Sequence, residues 1–78
     1  MAGAMDERDE LALKLRQVLV EARKAAGLTQ GELAKALRRT QTFVSNYERG
    51  ERKIGVVEFI LIARVLGAEP VDLLRRVA

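Results

Sequence analysis

Between positions 41 and 49 the chain reads Gln-Thr-Phe-Val-Ser-Asn-Tyr-Glu-Arg, interleaving amide and hydroxyl side chains with apolar ones. On a helix, Phe43, Val44 and Tyr47 point mainly to one side, and Gln41, Thr42, Ser45, Asn46 and Arg49 occupy the remaining surface. The outer set is built for hydrogen bonding rather than for covalent chemistry. Gln and Asn carry the amide that matches adenine N6 and N7 in the major groove of DNA, and Thr meets either a base or a thymine methyl. A helix N-terminus adds backbone N–H groups that favour a phosphate. Groups for other chemistry are scarce. The chain has no His and no Cys, which removes disulfides, thiolate chemistry, zinc fingers and every His-based triad. With no Gly-rich phosphate loop and no convincing carboxylate pair either, an enzyme is not expected.

The elements that position these side chains are short. Seventy-eight residues make one domain, and 49% apolar content excludes intrinsic disorder. A single Pro, few aromatics and many Ala, Leu, Val, Arg, Glu and Lys point to an all-helical fold. Residues 1–5 are expected to be a disordered tail and residues 6–78 the domain. Helix 1 is expected from near Asp6, where the acidic residues of 6–10 suit the positive end of the helix dipole. That cluster lacks the alternating ligands and Gly of a calcium loop, so no metal is expected. Leu11, Leu15, Val18, Leu19 and Ala22 mark the buried face of this helix, and Gly27 fits a left-handed C-cap.

Thr29 and Glu32 form a capping box that starts helix 2 at Gln30, with Leu33, Ala34 and Leu37 inward. Arg38, Arg39 and Thr40 make the turn, and Thr40 caps a third helix over 41–49 that stops at Gly50. Residues 51–55 are then an exposed basic loop. A fourth helix covers about 56–66 and ends at Gly67, and Pro70 opens a fifth that runs to about Val77. The sum is an all-α, compact five-helix orthogonal bundle. Charge is distributed unevenly along it. Residues 6–10 are net acidic, whereas residues 38–53 hold five basic side chains against two acidic ones, so one face suits a polyanion.

Gly-Leu-Thr-Gln at 27–30, Glu-Leu-Ala at 32–34 and Phe-Val-Ser-Asn-Tyr-Glu-Arg-Gly at 43–50 together resemble the lambda-repressor/Cro-like helix-turn-helix family, over residues 11–75. Glu58-Phe59, Ala63 and Leu66-Gly67 extend the resemblance. It implies that Gln30 grips a phosphate and props up the first base-reading side chain. Gln41, Thr42 and Asn46 match base-reading positions, and Ser45 matches a contact to a base or a phosphate. Arg49, Arg52 and Lys53 resemble a clamp on the backbone phosphates. The family usually has Gly where Arg38 sits, because that position tends to be left-handed. Arg38 therefore either bears that strain or gives the turn another shape, and it is a further candidate for phosphate. The resemblance also implies an ion pair between Arg23 and Glu48 that links helix 1 to helix 3. Loss of either partner would cost roughly 3 kcal/mol.

In helix 4, Val56, Phe59, Ile60, Ala63 and Leu66 read as a core stripe, and Val57, Leu61 and Val65 as a second stripe on another face. Helix 5, with Val71, Leu74 and Val77, either covers the second stripe or joins it in an interaction surface formed by Val57, Leu61, Val65, Val71 and Leu74. A homodimer is preferred, because one short helix reads few bases and dimers place two of them about 34 Å apart on a two-fold site. The expected protein is a sequence-specific, double-stranded-DNA-binding transcriptional repressor that acts as a homodimer on a short inverted repeat. No cofactor and no small-molecule ligand is evident. An antitoxin-like module that binds a partner protein through helices 4 and 5 is the alternative. The longest apolar run, 59–63, is too short to span a bilayer, and the acidic N-terminus lacks a secretion segment, so a cytoplasmic protein with no membrane partner is expected.

Overall fold

Five helices follow one another: α1 Glu7–Ala25, α2 Gln30–Leu37, α3 Gln41–Arg49, α4 Val56–Val65 and α5 Pro70–Val77. The structure is a computed structural model that describes residues 6–78, so the tail expected at 1–5 lies outside the described residues. Local chemistry sets the helix starts. The Asp6 carboxylate accepts from the Asp9 N–H, and Thr40 Oγ accepts from the Phe43 N–H. Thr29 and Glu32 complete a reciprocal box at 3.0 and 2.9 Å, which satisfies two N–H groups that the first turn leaves unpaired. The same bonds hold the Glu32 carboxyl below its usual range.

The core draws on every helix. Leu19, Leu33, Val44, Tyr47 and Ile62 are fully buried, and Val18, Ala34, Phe43, Phe59, Ala63, Leu73 and Val77 complete the cluster. Helix α3 packs against both α1 and α2, α4 packs against α2 and α5, and α5 closes back onto α1. An exposed Arg76–Glu21 ion pair at 2.8 Å joins α5 to α1 at the surface. Three expectations for the core need correction. Leu11 is exposed, because the first turns of α1 run past the core beside an open cleft bordered by the 50–54 loop. Val56 is 75% exposed, and Ile62 is buried instead. Helix α4 lies between α2 and α5, so its buried arc centres on Phe59, Ile62 and Ala63, leaving the first residue of the helix outside it. Val65 lies half-buried against the core and does not share the free face of Val57 and Leu61.

Helix α5 buries Leu73 and Val77 and turns Val71 and Leu74 outward. It therefore leaves Val57 and Leu61 uncovered, at 70% and 47% exposure. Val56, Val57, Leu61, Val71 and Leu74 are thus apolar groups in water on the two C-terminal helices. Among the described residues no helix is long and apolar enough to cross a membrane.

Candidate nucleic-acid interface

One face of α3 is anchored and the other is free. Phe43, Val44 and Tyr47 are buried, and the Phe43 and Tyr47 rings meet edge-on with centroids 5.4 Å apart. Gln41 and Thr42 are exposed at the first turn, Ser45 and Asn46 are half-buried one turn on, and Arg49 is exposed at the end. Alone among the five helices, α3 has no acidic residue in its first turn. The positive end of its dipole is therefore left uncancelled, as an anion site requires.

The turn before α3 closes through Arg38, whose φ of 58° and ψ of 40° are left-handed. Of the two shapes open to an Arg at this position, the chain takes the strained one, at a cost of roughly 1 kcal/mol. The Arg39 N–H reaches the Ala34 carbonyl at 2.9 Å, so the last carbonyls of α2 are satisfied as in a Gly-closed helix end.

Two arginine–glutamate forks hold this unit. In the first, Arg23 donates to both Glu48 oxygens at 2.7 and 3.1 Å, and to the Leu28 carbonyl at 2.8 Å. Both side chains are almost dry, 11% and 7% exposed. The hydrogen bond to Glu48 raises the Arg23 pKa. Gln30 also donates to Glu48, at 2.8 Å. The Gln30 amide nitrogen is thereby committed behind α3, and among the described residues it makes no bond to Gln41. The neighbour of the Gln41 side chain is Gly31, where a Cβ would lie 3.5 Å from Gln41 Oε1.

In the second fork Arg52 donates to both Glu58 oxygens at 2.9 Å, while Arg39 at 3.2 Å and the Gly55 N–H at 3.0 Å donate to the same carboxylate. Both guanidinium groups lie over the Phe43 ring, 3.9 Å away for Arg39 and 4.7 Å for Arg52, within cation–π range. The 51–55 loop is thus less exposed than expected: Arg52 is half-buried, and Ile54 packs on the core. Arg52 is not a free cation, since Glu58 already pairs it.

Arg38 and Lys53 are exposed and make no ion pair among the described residues. Arg49 is turned back along α3 and bonds to Ser45, Asn46 and Glu51. Reading the sequence missed Arg39 and Glu58. A signal for Glu58 was present, three residues after the helix-starting Gly55. It also missed Arg16, whose guanidinium packs on Gly50. A Cβ at Gly50 would come within 2.6 Å of Arg16 Cζ, and a φ of 80° independently demands glycine there.

Comparison with known proteins agrees with this geometry. Residues 19–74 match the family model of the helix-turn-helix. The chain is similar to a solved XRE-family like protein from Pseudomonas syringae pv. tomato str. DC3000, with 43% identity and a TM-score of 0.86 over 90% of this chain and 85% of that one. It is also similar to the clp gene regulator ClgR from Corynebacterium glutamicum, with 30% identity and a TM-score of 0.79 over 86% and 87% of the two chains. The restriction-modification controller protein C.AhdI from Aeromonas hydrophila is 35% identical, with a TM-score of 0.73 over 80% of this chain and 94% of that one. A search of curated proteins gave no match. A buried-backed α3, a tight turn before it and the match over most of the chain lead to one conclusion: the chain belongs to the XRE/lambda-repressor-like helix-turn-helix family of DNA-binding transcription regulators.

Proposed function

We propose that the protein represses transcription as a homodimer bound to a short inverted repeat, with α3 in the major groove of each half-site. The observation that carries this reading is the outer face of α3, where Gln41, Thr42, Ser45 and Asn46 stand in a row while the opposite face is locked into the core. The uncancelled N-terminus of α3 and the exposed Arg38 and Lys53 supply attraction to phosphate. Gln30, Arg49 and Arg52 are engaged within the chain, so their part in phosphate binding would be secondary. Repression would follow from occupancy of the operator, in the cytoplasm where the DNA lies.

Dimerisation is proposed through Val57, Leu61, Val71 and Leu74, which are apolar, exposed and contributed by adjoining helices. Val65 packs against the core and is left out of this face. Selection of sites from a random duplex pool at near-physiological salt tests the reading, with an enriched inverted repeat as the expected result. Sedimentation of wild type and Leu61→Glu tests the interface, with a dimer converted to a monomer expected. A wild-type monomer that enriches no site would instead favour a module that binds a partner protein through the same helices.

A further inference from the structure

The end of α3 carries an arrangement that the separate roles of its residues do not explain. The Arg49 guanidinium has five N–H groups, and four are used. Its Nε donates to Glu51 Oε2 at 3.1 Å, and its Nη2 donates to Asn46 Oδ1 at 2.8 Å and to Glu51 Oε1 at 3.3 Å. Its Nη1 donates to Ser45 Oγ. Arginine has no acceptor, so only the oxygen of the Asn46 amide can face it, and this fixes which way the amide points. The amide nitrogen then faces away with both of its hydrogens. Ser45 Oγ already accepts from Arg49, and its hydroxyl hydrogen remains available for donation. One N–H of Nη1 also remains. With the Asn46 oxygen and both Glu51 oxygens already accepting from Arg49, the hydrogens left free on Ser45, Asn46 and Arg49 are what these three residues chiefly offer a ligand.

A major-groove edge that suits donors alone is limited in kind. Guanine presents two acceptors, N7 and O6, and thymine presents O4. Adenine sets an N6–H₂ donor beside N7, and cytosine presents only a donor. Against the free hydrogens of Ser45, Asn46 and Arg49 those amino groups would set donor against donor. An isolated Asn pairs with adenine by using both ends of its amide. Here the oxygen end is turned to a cation.

We propose that Ser45, Asn46 and Arg49, seated by Glu51, form one reading unit that turns donors to the groove and selects a keto base, guanine ahead of thymine. Arg49 is then a residue that sets specificity rather than a phosphate clamp. Glu51 has a matching role, since its carboxylate holds the guanidinium over Ser45 and Asn46 and would have to be displaced before a phosphate could take it. This inference rests on the DNA-reading role of α3 proposed above.

The test is site selection from random duplex DNA with wild type, Asn46→Ala and Arg49→Met, each first shown to be folded by circular dichroism. Methionine keeps the aliphatic stem and the helix propensity and removes the donors. The position that Asn46→Ala flattens is the one to examine. Guanine or thymine is expected there for wild type. Arg49→Met should lower the keto-over-adenine preference at that position by about tenfold or more, because the Asn46 amide regains its acceptor. Adenine or cytosine at that position in the wild-type site would overturn the inference. So would a keto preference unchanged in Arg49→Met, or an Asn46→Ala variant that flattens no position. Enrichment of no site by wild type would instead remove the DNA-reading role itself, a failure distinct from the other three.

Discussion

The two arginine–glutamate forks beside α3 are alike in bond lengths and opposite in surroundings. Arg23 and Glu48 are almost dry, whereas Arg52 and Glu58 are 39% and 22% exposed. The dry fork ties α1, the start of α2 and α3 into one body through four protein groups: Arg23, Glu48, Gln30 and the Leu28 carbonyl. The wet fork ties a surface loop to α4 and keeps two guanidinium groups on Phe43. The comparison shows that pairing alone does not assign an arginine a role. Solvent access does. A buried fork sets the pose of α3, and a half-exposed one holds cations on the Phe43 ring at its start.

Breaking the dry fork should have the largest effect. Arg23→Met or Glu48→Gln strands one member of a buried pair and should cost roughly 3 kcal/mol, read by urea denaturation. That is a large fraction of the stability of a domain this small. A loss no larger than that of a surface substitution would contradict the structural role of the fork. Glu58→Gln should give a much smaller loss, because water solvates Arg39 and Arg52 once their carboxylate is gone. An equal loss from the two forks would erase the contrast drawn here.

Acid sharpens the contrast. Glu58 is held from 4.5 down to about 2, first by the Arg52 hydrogen bonds, then by the Gly55 N–H and Arg39. A carboxylate whose pKa is lower in the folded state contributes its full stabilisation above its unfolded pKa and loses it as the pH falls toward the folded one. Wild type should therefore lose stability between about pH 4.5 and 2. Glu58→Gln should show a shallower decline over the same window, measured by thermal melts. The Glu32 and Glu51 carboxyls are also held low, by Thr29 and by Arg49 respectively, so some slope persists in the variant.

The smallest expected effect lies beside the dry fork. The Tyr47 hydroxyl is buried and has no hydrogen-bond partner among the described residues, and burial pushes its pKa up. Tyr47→Phe removes a desolvated, unpaired group and keeps the ring against Phe43. Stability should be unchanged or slightly higher, within about 1 kcal/mol. A loss well beyond that would mean that the hydroxyl has a partner in solution.

Most of the helix boundaries were legible in the sequence because they depend on local chemistry. Asp6, Thr29, Thr40, Gly50 and Pro70 each act within a turn of their own position, and neighbouring residues decide the outcome. The outer face of α3 was legible for the same reason, since helical periodicity sorts Phe43 and Tyr47 from Gln41 and Asn46. Tertiary partners were harder to read. Whether Val56 or Ile62 is buried depends on where α2 and α5 meet α4, and no local pattern states that. The pairing of Arg52 with Glu58 spans six residues across a loop that Ile54 packs onto the core. The Arg49 network combines helix spacing to Ser45 and Asn46 with a reach past Gly50 to Glu51. Spacing predicts the first part and cannot predict the second.

If the outer face of α3 reads bases, as proposed, Gln41 at its exposed start should set one position of the site. Binding of Gln41→Ala should be measured against the selected operator and each of its single-base variants. A base-reading Gln41 should give a loss of about 1–3 kcal/mol of discrimination at one base pair and its two-fold mate, with preferences elsewhere retained. Gln41→Ala binding every variant as wild type does would contradict it.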